Sequence, residues 1–201
     1  MATRICMIRH GETDWNASRL IQGQIDIPLN ENGRNQAMST GMLDDICAIY
    51  SSDLSRAYET AEMLAGGAEV IKLPSLRERH HGIFQGITAS EAAARFPEDY
   101  ARYKSRDPHH QLETGESLAQ FAHRIDEVLD ELIRRHSGNT FAIVTHAGVL
   151  DVIYRRATGR LLNAPRDFTI RNCSLNWFRH DIEGLHLESW DERSAFMESI
   201  E

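Results

Sequence analysis

An arginine, a histidine and a glycine, Arg9-His10-Gly11, close the first apolar run of the chain. A neutral imidazole is a good nucleophile near pH 7, and an adjacent guanidinium is well suited to a phosphate. The pairing suggests chemistry on a phosphoryl group. A second histidine, His146, closes another apolar run, Phe141 to Thr145, and Ala147-Gly148 follow it.

Both histidines need strands to carry them. Arg4 to Ile8 reads as a short buried strand that delivers His10 to the carboxyl edge of a sheet, where α/β proteins place ligand sites. Phe141 to Thr145 lacks alternation and reads as a central strand buried on both faces. In a parallel sheet the two histidines emerge at one edge and face each other across a crevice. The loop from Gly11 to Glu31 is long enough to be functional. A helix is expected over Gly33 to Leu43, then a strand over Ile46 to Tyr50. Ser52-Asp53 offers N-cap chemistry for a helix carrying Ala57, Thr60, Ala61 and Leu64 and ending at Gly66-Gly67. Val70 to Leu73 is a short strand stopped by Pro74. An irregular charged segment, Leu76 to Gly86, holds Glu78, Arg79, His80 and His81.

Residues 88 to 114 read as one or two short helices and a polar loop. Leu118, Phe121, Ile125, Val128, Leu129 and Leu132 make the apolar stripe of a long helix from about Ser117 to His136. Cys173 to Phe178 and Leu185 to Trp190 flank Asp181-Ile182-Glu183-Gly184, a hairpin signal. Alternating strands and helices then give the fold class: one three-layer α/β domain over residues 1–201. Its central sheet is mostly parallel, with helices on both faces and an antiparallel edge hairpin.

Composition narrows the partners. The 201 residues carry 41% hydrophobic and 26% charged side chains and a net charge of −8. That charge argues against a broad nucleic-acid or anionic-membrane surface, so any anion site is a local basic pocket. No apolar run approaches membrane-spanning length. The first residues enter a strand without a signal-peptide pattern. The three cysteines, Cys6, Cys47 and Cys173, read as buried reduced thiols of a cytoplasmic protein. The edge hairpin offers a surface for a homodimer.

Four separated motifs, in order, resemble the histidine phosphatase superfamily, the phosphoglycerate-mutase-like proteins. They are Arg9-His10-Gly11-Glu12-Thr13 with Trp15-Asn16, Ser51-Ser52-Asp53-Leu54-Ser55-Arg56-Ala57, Leu76-Arg77-Glu78-Arg79-His80-His81-Gly82, and Thr145-His146-Ala147-Gly148. Smaller matches include Gln22-Gly23, Gly115-Glu116-Ser117-Leu118 and Arg171-Asn172-Cys173-Ser174. The resemblance implies that His10 is the nucleophile of a phosphohistidine intermediate, one ring nitrogen oriented by a hydrogen bond. It implies that Arg9, Arg56 and His146 line the phosphate pocket with positive charge. Asn16 donates to the phosphoryl group, Gln22 and Gly23 contribute to binding, and the amides of Ala147 and Gly148 add to the anion site. Glu78 is the general acid, then the base for water. His81 is the candidate contact for the leaving group, its alternative a surface loop histidine.

The family's chemistry needs no metal or other cofactor. Paired neighbours such as His80-His81 and His109-His110 are poor ligand geometry, so no metal site is expected. The implied activity is hydrolysis of a small phosphorylated metabolite. The segment between Gly86 and Gly115 is short for a mutase. It holds only Arg95, Arg102, Lys104 and Arg106 as basic residues, which favours a lid that admits water. A phosphoglycerate mutase is the alternative, and a non-catalytic phospho-ligand binding module is the third reading. Phe96-Pro97-Glu98-Asp99-Tyr100 is similar to metal-independent phosphoserine phosphatases.

Overall fold

The computed structural model describes residues 2–192. Residues 193–201, the end of the tail after Trp190, lie outside the described part, as does position 1. Six strands form one sheet: β1 (Thr3–Arg9), β2 (Ile49–Ser51), β3 (Val70–Lys72), β4 (Thr140–Thr145), β5 (Leu175–Asp181) and β6 (Gly184–Glu192). Their order is β3-β2-β4-β1-β5-β6. β1, β2, β3 and β4 run parallel, while β5 pairs antiparallel with β1 and with β6. The hairpin read from the sequence is therefore present, with β6 as the outer strand. No helix of the described residues is long and apolar enough to cross a membrane.

The described residues also form the α-helices α1 (Asp14–Ala17), α2 (Glu31–Thr40), α3 (Ser55–Leu64), α4 (Ala89–Arg95), α5 (Pro97–Lys104), α6 (Leu118–Arg135) and α7 (Ala147–Thr158), of which α3, α6 and α7 pack on the sheet. The pleat of β1 sorts its side chains between two cores. Ile5 and Met7 join Phe141, Ile143 and the stripes of α6 and α7, including Phe121, Ile125, Leu129, Leu150 and Ile153. Cys6 and Ile8 join Ala142, Val144 and the inner face of α3, Ala57, Ala61 and Leu64. Each large apolar side chain removed from water contributes roughly 1.5–3 kcal/mol. β1 thus anchors to both layers, and substituting any of its inward residues disturbs the element that ends in Arg9-His10.

Three local readings are corrected. The helix after β2 is not capped by Ser52 or Asp53, because Leu54 is its N-cap and makes no side-chain cap bond. Asp26, from the long loop, instead accepts Ser55 N at 2.8 Å, and Asp53 pairs with Arg77 at 2.6 Å. The strand expected over Ile46 to Tyr50 is the shorter β2, although Cys47 N still bonds Thr140 O at 2.9 Å. Cys47 is exposed, not buried, whereas Cys6 and Cys173 are buried.

Candidate active site

Register brings the two histidines together. Arg9 pairs with Thr145 across the β1–β4 ladder, so His10 and His146 leave the sheet side by side. Their rings stand 5.1 Å apart, edge to face. Both are buried, at 4% and 0% exposure.

The His10 ring is fixed in one tautomer. Its Nδ1 lies 2.7 Å from the Gly11 carbonyl oxygen. A carbonyl can only accept, so Nδ1 carries the proton and Nε2 keeps its lone pair. Burial, reinforced by Arg56 and Arg9, pushes its pKa well below the usual 6.5. The ring stays neutral and nucleophilic.

The backbone beneath it is held at several points. His10 N donates to Thr145 O, and the His10 carbonyl accepts Asn172 Nδ2 at 2.7 Å. Gly11 N donates to Thr60 Oγ1 at 3.0 Å, and Thr60 Oγ1 donates to the Arg56 carbonyl at 2.7 Å. Gly11 must lack a side chain, since a Cβ there would meet Gly33 O at 2.4 Å. Thr60 and Asn172 received no role from the sequence. Thr60 reads there only as an apolar-face helix residue, though its place one turn after Arg56 was a usable signal.

Arg56 is 1% exposed and its pKa falls to about 10, chiefly through burial, so it remains charged at neutral pH. Its Nη1 and Nη2 donate to the carbonyls of Ile25 and Gly23 at 2.9 and 2.7 Å, and its Nε has no partner. It therefore shapes the Gln22–Gly23 loop as well as lending charge. Gly23 takes a left-handed φ of 53° there, and Gln22 is buried with its Oε1 unpartnered. Arg9 donates Nη1 to the Ile170 carbonyl at 2.7 Å, and its buried Nε is free of partners.

Two expectations about the pocket change. The resemblance implies a positively charged His146. Burial first, then Arg56, His10 and Arg9, pushes its pKa well below 6.5, so it is a neutral hydrogen-bonding ring whose two nitrogens are unpartnered. The resemblance also implies an anion donor in the Gly148 amide. That amide is spent on Glu78, whose Oε2 accepts Gly148 N at 2.9 Å. Glu78 Oε1 accepts Arg79 N at 2.8 Å. The carboxylate thus caps the N-terminus of α7, where His146 provides no side-chain cap. Gly148 permits that approach, because a Cβ would stand 2.1 Å from Oε1. Gln24 and Arg124 hold the Glu78 carbonyl, at 3.0 and 3.4 Å.

Asn16 closes a capping box with Thr13 through its Oδ1, which leaves its Nδ2 without a partner among the described residues. His81 is half-buried, packs against Tyr103 at 5.5 Å, and has its pKa brought down to about 3 by burial and the charge of Arg79. The four paired histidines do not converge. His80 Nδ1 accepts Gly82 N, His110 faces Asp99, and the buried His81 Nδ1 has no partner. Among the described residues, the grouping with metal-ligand spacing is Asp181, Glu183 and His186, at the β5–β6 turn.

Two cavities meet at Ala147 and Arg166. One, of about 650 Å³, is lined by Arg9, Thr169, Ile170, Arg171 and Asn172 among others. The other, of about 410 Å³, is lined by Glu78, Arg79, His81, Tyr103, Lys104 and Arg106, with Asp151 and Arg166. Lys104 and Arg106 come from the short segment after Gly86, so this segment does bring basic side chains to the site. Arg95 and Arg102 do not line it: Arg95 lies over Phe96 and Arg102 pairs with Asp107.

Residues 5–193 match the model of a family described as the histidine phosphatase superfamily (branch 1). The chain is 43% identical to a metal-independent phosphoserine phosphatase of Arabidopsis thaliana, over 81% of this chain and 74% of that protein. It is 32% identical to a probable phosphoglycerate mutase GpmB of Serratia proteamaculans, over 96% and 92%. Among solved structures it is similar to a mutant phosphoserine phosphatase of Entamoeba histolytica in complex with phosphoserine. That match has a TM-score of 0.86 and 27% identity, covering 94% and 97% of the two chains.

Proposed function

The chain belongs to the histidine phosphatase superfamily, and from that premise we propose that it hydrolyses a small phosphorylated metabolite through a phosphohistidine on His10. The observation that carries the reading is the His10 ring: buried, neutral, Nδ1 committed to the Gly11 carbonyl, Nε2 left as nucleophile between two arginines.

In the first step Nε2 attacks phosphorus. The P–N bond forms as the P–O bond to the alcohol breaks, and Glu78 gives its proton to the leaving oxygen. Arg9 and Arg56 offset the charge on the equatorial oxygens, with His146 and Asn16 as neutral donors. In the second step water attacks phosphorus and gives a proton to Glu78, the P–N bond breaks, and neutral His10 is restored. None of these steps calls on a metal. Burial raises the thiols of Cys6 and Cys173 to about 12, so both are neutral and unreactive.

A mutase would use the same first step and return the phosphoryl group to a second oxygen of the bound molecule. The likeness to probable phosphoglycerate mutases and the presence of Lys104 and Arg106 in the cavity favour that second reading. Phosphorus NMR in EDTA, with phosphoserine, 3-phosphoglycerate and a trace of bisphosphoglycerate, separates the two. Growth of inorganic phosphate supports the phosphatase. Conversion of 3- to 2-phosphoglycerate without free phosphate establishes the mutase and overturns the proposal.

A further inference from the structure

The segment that carries Glu78 has no ladder of its own. Residues 77–81 belong to no helix or strand, so their backbone groups need partners elsewhere. Gly115-Glu116-Ser117 and Arg124, two turns further along α6, supply several of them. Arg124 Nη1 donates to the carbonyls of Ser75 and Arg77 at 2.8 and 3.0 Å, and its Nη2 to that of Glu78 at 3.4 Å. Glu116 Oε2 accepts His80 N at 2.8 Å, Glu116 N donates to the His80 carbonyl at 2.9 Å, and the Glu116 carbonyl accepts Arg79 Nε at 2.9 Å. The two side chains also grip each other, Arg124 Nε and Nη2 meeting the two Glu116 carboxylate oxygens at 2.9 and 2.8 Å.

Each part of the motif has a task here. Gly115 lets the two segments touch, since a Cβ there would stand 2.7 Å from the His80 carbonyl oxygen and 2.9 Å from Gly82 N. Ser117 is the N-cap of α6, its Oγ accepting Gln120 N at 3.1 Å, and so starts the helix that carries Arg124. The paired charges fix the plane of the guanidinium. A guanidinium offers its N–H donors in a rigid fork, which here serves the segment's carbonyls and a carboxylate at once; an ammonium cannot reach the same set. The Glu78 carboxylate itself meets the amides of Arg79 and Gly148, and Arg79 belongs to the same segment. Where the acid stands therefore follows from where this main chain is held.

Resting on the reading of Glu78 as proton donor, we infer that Glu116 and Arg124 form one clasp that positions it. Neither residue lines the two cavities beside His10 and Glu78. Both act through the main chain between Ser75 and His80. A loosened clasp lets the carboxylate drift from the leaving oxygen, while His10, at the end of the β1–β4 ladder, keeps its place. The loss is then specific to esters whose leaving group needs a proton.

The experiment measures kcat for p-nitrophenyl phosphate and for the faster of phosphoserine and 3-phosphoglycerate, in wild type, Glu78→Gln, Arg124→Lys and Glu116→Gln. Arg124→Lys keeps the charge and loses the fork. Its kcat on the metabolite ester should fall by about 10², the scale of a misplacement of about 1 Å, with a fall of less than about tenfold on p-nitrophenyl phosphate. Glu116→Gln keeps an acceptor for His80 N and loses the charge. It should show the same bias at about tenfold, and it carries the test if Arg124→Lys does not fold. The double variant should lose little more than Arg124→Lys alone, because the two residues act as a unit. With the bias present in Glu78→Gln, an equal loss on both substrates, no loss on the metabolite ester, or losses that multiply in the double variant overturns the clasp alone. Absence of the bias in Glu78→Gln overturns the reading of Glu78 and the inference with it. No phosphate released by the wild type overturns the phosphatase reading itself.

Discussion

Replacing Gly148 by alanine separates the chemistry of Glu78 from the stability of the fold. Gly148 lies in the first turn of α7, where alanine is the better helix former by up to about 1 kcal/mol. Its φ is not positive, so the backbone accepts a side chain. The added Cβ, however, would stand 2.1 Å from Glu78 Oε1 and 3.2 Å from Oε2. Ordinary carbon contact is about 3.5 Å, so the carboxylate must withdraw by more than about 1 Å and give up the Gly148 amide. A misplacement of about 1 Å costs on the order of 10² in rate, and loss of a proton donor roughly 10² to 10⁴. The expected outcome is a fall of about 10² or more in kcat for an alkyl phosphate. For p-nitrophenyl phosphate, whose leaving group needs little protonation, the fall should be less than about tenfold. Losing the cap costs about 1 kcal/mol and the alanine returns up to about 1 kcal/mol, so the melting temperature should stay near that of the wild type. Steady-state kinetics on both substrates, with a thermal melt, read all three. An equal loss on both substrates, or no loss on the alkyl phosphate, would show that Glu78 is not the proton donor.

Three further outcomes are expected. His10→Ala should abolish turnover and the acid-labile phosphoenzyme trapped by rapid quench; retained phosphate release would end the phosphohistidine mechanism. Thr60→Val keeps the shape but leaves the Gly11 amide without its acceptor, so it should destabilise the protein by about 1–3 kcal/mol and lower kcat more than it raises KM. Denaturant titration and kinetics check it, and full activity would mean that the Gly11 backbone needs no such anchor. The third concerns acid. His10, His81 and His146 all have pKa values lowered by folding, with burial the leading cause in each, and His81 lies at about 3. The unfolded chain therefore binds more protons below about pH 6.5, and stability falls as pH drops through that value. At about 1.4 kcal/mol per pH unit, each histidine costs roughly 2 kcal/mol by pH 5. Urea midpoints that match at about pH 7.5 and pH 5 would contradict histidines that the fold holds neutral.

The sheet and the paired histidines were legible because apolar runs of fixed direction determine where their last residues emerge. Ile5 to Ile8 and Phe141 to Val144 could be read as strands without knowing their partners, and the register then aligned Arg9 with Thr145. Contacts between distant segments were not legible in the same way. Nothing local to Glu78 signals that its carboxylate caps a helix beginning at Ala147, and nothing near Ser52-Asp53 signals that Asp26 takes over the capping of α3. The charge of His146 was misjudged for a related reason. The sequence shows an imidazole near arginines, whereas its burial, which decides the protonation state, comes from the assembled core. The burial of Asp151 was not legible either, because its spacing to Arg155 is that of an ordinary surface helix pair, yet both are buried.

The central position of β1 has a consequence for how the site comes apart. Hydrogen-bonded to β4 on one side and β5 on the other, the strand that carries Arg9 and His10 is expected among the last to exchange its amide protons. Glu78 sits on an irregular segment, held by side chains of the long loop and α6 and by one amide of α7. Local opening is therefore expected to reach the acid before it reaches the nucleophile. A partly loosened molecule would still take a phosphoryl group from an activated ester after losing the ability to cleave an alkyl one, so the two half-functions of the site differ in robustness as well as in chemistry.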